Sequence, residues 1–376
     1  MKKIKLALAI RSLNIGGAER QFLELAKNID KSKFDVVIYT MYKGPQDGIA
    51  NSLEGVKHIP LGKKDRYDNI SFMKTYIASL DAEKPDVVYS FLQEMNLFSL
   101  WARRFTKNKH KAVWGFRASD MNLKKYGKFP QLLFWLQKKS SPHADKIIAN
   151  SHASVGFHDK MGYDVSKACV VHNGINVERF MPDSGQRETF RKEHGLKEDD
   201  IAIGIVSRVS YMKGYPILAQ SMKKLMQEYP KVRLFAVGGG EDAIQKECEA
   251  LLGEYNARVT WFGEQKSVES DFYNGLDIYT SSSVFGEGFS NSVAEAMCCE
   301  VPIVATKVGD SHIVVGETGN MVEKEDVEAL YAGLKEMIES DFKAKGKSAR
   351  ARIVENFSTM SMIKNSEREL AACVES

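Results

Sequence analysis

Cysteine is scarce and unpatterned in this chain. There are five (Cys169, Cys248, Cys298, Cys299 and Cys373), an odd number without C-x-x-C spacing. That argues against a disulfide framework and a zinc site, and fits a reducing cytoplasm. Long apolar runs are missing as well. No stretch approaches the ~18 consecutive apolar residues of a membrane span. The run Leu6 to Ile10 behind the basic start is closed at once by Arg11, with no small-residue cleavage site after it. The beginning therefore reads as a buried β-strand and not as a secretory signal. Low-complexity tracts and a self-similar period of about 20 to 50 residues are absent, which argues against a solenoid. No two aspartates stand in D-x-D spacing, so the sequence offers no obvious carboxylate clamp for a metal diphosphate, and metal independence is expected.

What remains is an ordinary globular composition, 43% hydrophobic and 27% charged over 376 residues. Single cores stop growing efficiently beyond ~250 residues, so two α/β domains of about 180 residues are expected. The net charge of +4 hides an asymmetry. Residues 1–175 carry 29 Lys+Arg against 16 Asp+Glu, and the remainder 24 against 33, giving +13 and −9. A basic half implies an anionic partner for that half: nucleic acid, membrane phospholipid or a phosphorylated ligand.

Short apolar runs alternate with helical patterns through the first half: IKLALAI, GAERQFLELAKNI, FDVVIYT, a helix around ISFMKTYIASLDAE, then DVVYSFL, KAVWGF, KIIAN and ACVVHN. Strands that read as solid apolar runs between helices imply a parallel sheet covered on both faces. After a polar stretch from Asn176 to about Asp200 the rhythm restarts. It runs through IAIGIVSR, a helix from about Pro216 to Tyr229, VRLFAVGGG, a helix around DAIQKECEALLG, RVTWFG, DIYTSSS, a helix carrying Glu295, and VPIVATKVG. Two Rossmann-like, doubly wound α/β domains are expected, with ligands at the carboxyl ends of the strands. Asn173-Gly174-Ile175 punctuates the boundary, and a last helix runs from Ser358 to about Ala372.

Four loops carry candidate chemistry. Asn14-Ile15-Gly16-Gly17-Ala18-Glu19 follows the first strand and opens the first helix, where glycines let a phosphate approach backbone amides. The pattern is not G-x-G-x-x-G, which disfavours a dehydrogenase, and the plain alternative is a tight turn. Ser207-Arg208 and Lys213-Gly214 follow the first strand of the second series; two cations at a strand end suit a diphosphate, and one alone is a solvated loop charge. Gly238-Gly239-Gly240 brings backbone near a ligand or simply turns the chain. The fourth loop, VFGEGFSNSVAEAM, places Glu287 on a glycine-flanked turn and Glu295 inside a helix begun at Ser290 or Asn291. A carboxylate so placed can accept two hydrogen bonds from a vicinal diol.

Together, Gly16-Gly17-Ala18-Glu19, the Asn173-Gly174-Ile175 crossover with Phe180 after it, Arg208 with Lys213-Gly214, the Glu-x7-Glu array from Glu287 to Glu295, and Val301-Pro302-Ile303-Val304-Ala305 resemble the family 4 retaining glycosyltransferases of the GT-B fold, over nearly the whole chain. The resemblance implies an acceptor-binding domain over residues 1–175, with a C-terminal helix at 357–376 packing back on it, and a nucleotide-sugar domain over 176–356. It implies that Arg208 and Lys213 hold the donor diphosphate and act catalytically as negative charge grows on the leaving group. Glu287 would hold the transferred sugar and Glu295 the ribose. The amides of Gly288, Phe289 and Ser290 would add to donor binding, with Gly16 and Gly17 approaching from the other side of the cleft. One departure stands out. Many relatives have a histidine where this chain has Arg117, so Arg117 and Asp120 are assigned to acceptor or sugar contact, with a structural Arg-Asp pair as the alternative.

A nucleoside-diphosphate sugar, UDP ahead of GDP or ADP, is thus the expected co-substrate. The expected acceptor is a saccharide or lipid-linked saccharide, as in polysaccharide or lipopolysaccharide assembly. Lys124, Lys125, Lys128, Lys138 and Lys139 interleave with aromatic residues, and Arg103 and Arg104 add a second cluster. Such a segment suits the inner face of an anionic membrane, or else packs its apolar side on the domain with lysines in water. A nucleic-acid-binding protein is the rival reading of the basic half, but no recognised motif supports it.

Overall fold

The structure, a computed structural model, describes residues 2–13, 16–42, 55–117, 119, 127–265 and 268–376. They divide into two compact units, 1–174 with 359–376, and 175–358.

The first unit is built from β1 (Ile4–Ile10), α1 (Gly17–Asn28), β2 (Phe34–Thr40), β3 (Lys57–Pro60), α2 (Asn69–Glu83), β4 (Val87–Phe91), α3 (Gln93–Phe105), β5 (Lys111–Phe116), α4 (Lys128–Ser140), β6 (Lys146–Ala149), α5 (His152–Lys160) and β7 (Ala168–Val170). The strands form one parallel sheet in the order β3-β2-β1-β4-β5-β6-β7. Every residue from Leu6 to Ile10 is fully buried because helices cover both faces. Leu6, Leu8 and Ile10 pack with Phe22 and Leu25 of α1 and with Ile363 and Leu370 of the C-terminal helix, whereas Ala7 and Ala9 face Tyr39, Phe72 and Tyr76. The small alanines leave room for the Tyr39 and Tyr76 rings, which meet edge-on at 5.5 Å. Ser151 caps α5 by accepting from the Ser154 amide, the kind of contact that fixes a helix start.

The second unit repeats the plan with α6 (Ser184–Glu193), β8 (Ile201–Val206), α7 (Tyr215–Glu228), β9 (Val232–Val237), α8 (Asp242–Leu252), β10 (Val259–Gly263), α9 (Ser270–Gly275), β11 (Ile278–Ser281), α10 (Asn291–Cys298), β12 (Ile303–Thr306), α11 (Ser311–Val315), β13 (Asn320–Val322), α12 (Val327–Glu339) and α13 (Phe342–Asn356). Its parallel sheet has the order β10-β9-β8-β11-β12-β13. One face packs on α7, α8 and α12, the other on α10, α13 and the Phe190 side of α6. The helix α14 (Thr359–Glu375) then returns to the first unit. The outgoing and returning segments of the chain touch: Ile175 bridges Ser358 and donates its amide to the Phe357 carbonyl at 2.8 Å. A Cβ at Gly174 would lie 2.6 Å from the Thr359 backbone, so only glycine fits that crossing.

Candidate active site

In both sheets the strand order reverses beside the first strand of the unit, between β1 and β4 and between β8 and β11. Ligands of open parallel sheets gather beyond the carboxyl ends of the strands at such a reversal. Lys213 follows β8 and Glu287 follows β11, one on each side of the second reversal.

Three loops are laced together there. Gly214 has φ +68°, and a Cβ on it would fall 1.9 Å from the Ser282 carbonyl oxygen, so both conformation and space demand glycine. Ser282 Oγ donates to the Lys213 carbonyl at 2.8 Å, and the Val284 amide donates to the Met212 carbonyl at 2.9 Å. The Asp310 amide donates to the Gly288 carbonyl at 2.9 Å, and Thr306 Oγ1 donates to the Ser283 carbonyl at 2.6 Å. The loop after β9 is tied in as well. Val209 bridges Gly240, and a Cβ on Gly238 would meet the Ser207 carbonyl at 1.9 Å.

Within this frame Lys213 and Glu287 form an ion pair, their side chains 17% and 12% exposed. Ser283 Oγ donates to the same Glu287 oxygen at 2.9 Å. Lysine carries three donors, so its ammonium can meet an incoming anion while keeping the carboxylate. Arg208 is exposed, and no hydrogen bond or ion pair engages its guanidinium among the described residues. Glu295 lies inside α10 and is buried, with the Tyr273 hydroxyl donating to it at 2.7 Å. Burial first, and the Glu295 charge second, hold the Tyr273 hydroxyl well above its ordinary pKa, so it remains a donor. Ser290 stands before α10 and makes no side-chain cap. Phe289 packs on Phe357 with ring centroids 5.6 Å apart.

In the first unit, Gly16 is the extended residue before α1 and Gly17 its first residue. A Cβ at Gly16 would sit 2.2 Å from the Glu19 carboxylate, whose pKa is raised by burial. Arg117 leaves β5 and lies 4.2 Å above the Phe91 ring, donating to the Tyr89 hydroxyl at 2.7 Å and to Asn173 Oδ1 at 3.4 Å. It borders a cavity of about 780 Å3, with Arg11, Glu94 and Lys128 as further charged walls and Leu92, Phe116, Phe129 and Leu133 as apolar ones. Asp120, Lys124 and Lys125 lie outside the described residues.

The structure thus brings Lys213 and Glu287 into contact and places Glu295 on its helix. Among the partners of these residues, Tyr273 and Tyr89 carry no signal in the sequence, since a tyrosine on an apolar face ordinarily reads as core. Arg103 pairs with Asp145 and donates to the His143 carbonyl at 2.8 Å.

The sequence as a whole matches two family models, one described as Glycosyltransferase Family 4 over residues 15–179 and one as Glycosyl transferases group 1 over residues 186–358. The chain belongs to family 4 of the glycosyltransferases. This glycosyltransferase is 26% identical over 324 residues to the capsular polysaccharide biosynthesis glycosyltransferase CapM of Staphylococcus aureus, covering 81% of this chain and 82% of that protein. It is 28% identical over 243 residues to the lipopolysaccharide core biosynthesis mannosyltransferase LpsB of Rhizobium meliloti, covering 62% of this chain and 66% of that one. Among solved structures, Anabaena Alr3699/HepE in complex with UDP superposes with a TM-score of 0.83 at 19% identity, over 98% of this chain and 100% of that chain. The fold of this glycosyltransferase is GT-B. No described helix is long and apolar enough to cross a membrane.

Proposed function

We propose that this sugar transferase is a retaining, metal-independent enzyme. It moves a sugar from a nucleoside-diphosphate sugar, UDP first among the bases, to a saccharide or lipid-linked saccharide in cell-surface polysaccharide or lipopolysaccharide synthesis. The observation that carries the reading is the Lys213–Glu287 pair at the strand-order reversal of the second sheet, held by glycine-dependent loop contacts. The UDP held by the Anabaena neighbour, and the part that CapM and LpsB take in capsule and lipopolysaccharide core biosynthesis, support the choice of donor and pathway.

In the reaction, the bond between the sugar C1 and the diphosphate oxygen breaks as the acceptor hydroxyl oxygen bonds to C1 on the same face. The hydroxyl proton passes to the departing phosphate oxygen. Negative charge therefore grows on the diphosphate, where Arg208 and Lys213 strengthen their hold as it does so. The amides of Gly288, Phe289 and Ser290 add donors for the diphosphate or sugar. Glu287 accepts from sugar hydroxyls, and Glu295, braced by Tyr273, accepts from the ribose diol. Gly16 and Gly17 approach the donor through their backbone. Arg117 and Asp120 serve acceptor or sugar contact.

The acceptor side of the reading rests on α4. Its Phe129, Leu132 and Trp135 are 43%, 51% and 53% exposed, with Lys128 and Lys139 on the same surface and Lys138 half-buried. An apolar stripe flanked by cations suits the interface of an anionic membrane, and Arg104 adds an exposed charge.

A melting-temperature panel with UDP, GDP, ADP and their sugars, run with and without EDTA, tests the donor, because a ligand of the native state stabilises it by RT ln(1 + [L]/Kd). UDP or a UDP-sugar is expected to raise the transition equally with the chelator. No shift with any nucleotide would refute the assignment. Proton NMR of the product, read at the anomeric coupling, tests retention.

A further inference from the structure

Arg117 is a half-buried cation that three neutral groups of the first unit hold in place. Nη2 donates to the Tyr89 hydroxyl at 2.7 Å, Nη1 donates to Asn173 Oδ1 at 3.4 Å, and the guanidinium carbon lies 4.2 Å from the centre of the Phe91 ring. Tyr89 is fully buried, and burial raises its pKa by more than Arg117 lowers it, so its hydroxyl stays neutral. Asn173 offers an amide. No carboxylate pairs with Arg117 among the described residues. A cation drawn out of water is ordinarily matched by an acid, because desolvation penalises the charge. Here a ring face and two dipoles hold it instead.

Its position gives that charge a use. Arg11 follows β1, Leu92 follows β4 and Arg117 follows β5, three neighbouring strands, so the cavity of about 780 Å3 that they border lies beyond their carboxyl ends. Its charged walls among the described residues are Arg11, Arg66, Arg117 and Lys128 against one acid, Glu94. Glu94 stands 3.5 Å from Arg11, and Arg66 and Lys128 are exposed to water. Arg117 is thus the half-buried charge of this cavity without a described counter-charge.

The donors of Arg117 are partly spent. Arginine has five N–H groups. Nε is enclosed without a partner, and Tyr89 and Asn173 take one donor from each terminal nitrogen. One donor on each of those nitrogens remains, a pair suited to the two oxygens of a carboxylate or phosphate. The side chain is already fixed, so little rotamer freedom is lost when such a group arrives.

We propose that Arg117 makes this enzyme select an acidic reactant, its guanidinium docking a carboxylate or phosphate group carried by the acceptor saccharide. The inference rests on the reading above that Arg117 contacts acceptor or sugar, and adds the chemical class of what it contacts. An acidic sugar on the donor is the other source of the same chemistry.

Saturation-transfer NMR titrations separate the two sources. One arm compares methyl β-D-glucuronide and glucose 6-phosphate with neutral methyl β-D-glucoside and needs no nucleotide. The other compares UDP-glucuronic acid with UDP-glucose, with UDP as the reference. Wild type, R117K and R117Q are titrated, with circular dichroism to show that each is folded. An acidic probe of the first arm that binds at least tenfold more tightly than the neutral glycoside, with the preference lost in R117Q and partly kept in R117K, assigns the anion to the acceptor. The same pattern in the second arm alone assigns it to the donor sugar. If the wild type prefers the acidic probe in neither arm, the result a structural pair with Asp120 would give, the proposal is overturned without recourse to a variant. A preference that R117Q retains overturns it as well. UDP that fails to bind refutes the nucleotide-sugar reading instead, and the first arm still decides on Arg117.

Discussion

Replacing Lys213 by methionine separates what the Lys213–Glu287 pair does for the fold from what it does for the reaction. The variant leaves a carboxylate 12% exposed without its cation, while Ser283 still donates to it. Truncating one member of a fully buried pair costs about 3–5 kcal/mol, and the residual exposure of this one brings the expected loss to about 2–4 kcal/mol. For a unit of this size that lowers the melting temperature by about 5–10 °C. The double variant K213M/E287L has no stranded charge. Well-packed apolar replacements of an ion pair are near neutral, so it should recover to within about 1 kcal/mol of the wild type. Catalysis should not recover. Loss of one fixed donor to the leaving group lowers kcat by about 10²–10³-fold, and the double variant should be at least as slow. Urea unfolding of the wild type, both single variants and the double variant, paired with single-turnover rates at saturating donor, gives both readings. If K213M costs less than about 0.5 kcal/mol, the pair is not a structural element in solution. If K213M keeps its rate within threefold, the lysine does not carry the leaving-group charge.

Tyr273→Phe removes the hydroxyl that braces Glu295, a hydrogen bond to a charged group that contributes about 1.5–3 kcal/mol; KM for the donor is expected to rise about tenfold or more while the acceptor KM stays put, and an unchanged donor KM would count against Glu295 as the ribose acceptor. Gly214→Ala forces a left-handed backbone and a 1.9 Å approach to the Ser282 carbonyl; a loss well above about 1 kcal/mol in denaturant titration is expected, together with weaker nucleotide binding. Acid should weaken the first unit selectively. Burial depresses both His110 and His158 to about 4, below the ordinary value of about 6.5 that they regain on unfolding. The unfolded chain therefore takes up protons first, so the stability present above pH 6.5 falls away as pH drops from there towards 4. Hydrogen exchange at pH 7.5 and 5.0 should show protection in β5 and α5 falling more than in β8 and α7, and equal loss in both would refute the account.

Strands were legible where burial on both faces made the sequence solidly apolar. IKLALAI, FDVVIYT and KAVWGF are β1, β2 and β5 residue for residue. The elements that escaped have weaker signals for physical reasons. Lys57–Pro60 is a four-residue edge strand with two exposed ends, which gives it no apolar run. Ser184–Glu193 lies in the stretch that reads as polar because Phe190 is its only buried side chain, and its start is fixed by Asp183 accepting from two amides. Lys- and Arg-rich α13 buries only Gly346, Ala349 and Ile353, two of them small. At the site, residue types and loop positions were readable from glycine placement and spacing. The pairing of Lys213 with Glu287 was not, since 74 residues separate them and only the adjacency of β8 and β11 brings their loops together.

That pairing also resolves a tension in the charge distribution. The second half of the chain is acidic overall, at −9, yet the proposed reaction needs cations against a diphosphate. Net charge acts at long range and is screened over about 8 Å at physiological salt, whereas the catalytic demand is local. Glu287 meets that demand indirectly. By holding the Lys213 ammonium over the strand-order reversal before any ligand arrives, it fixes a side chain that otherwise loses about 2 kcal/mol of rotamer freedom on binding. It also spares that cation from standing in the site without a counter-charge. An incoming diphosphate then shares an ammonium already in position, while Arg208, exposed and without a described partner, is free to close on it. On this account the Glu287→Gln variant should weaken nucleotide binding even for UDP alone, which has no sugar for the carboxylate to hold. Unchanged UDP affinity in Glu287→Gln would confine the glutamate to sugar contact and remove it from the organisation of the cation.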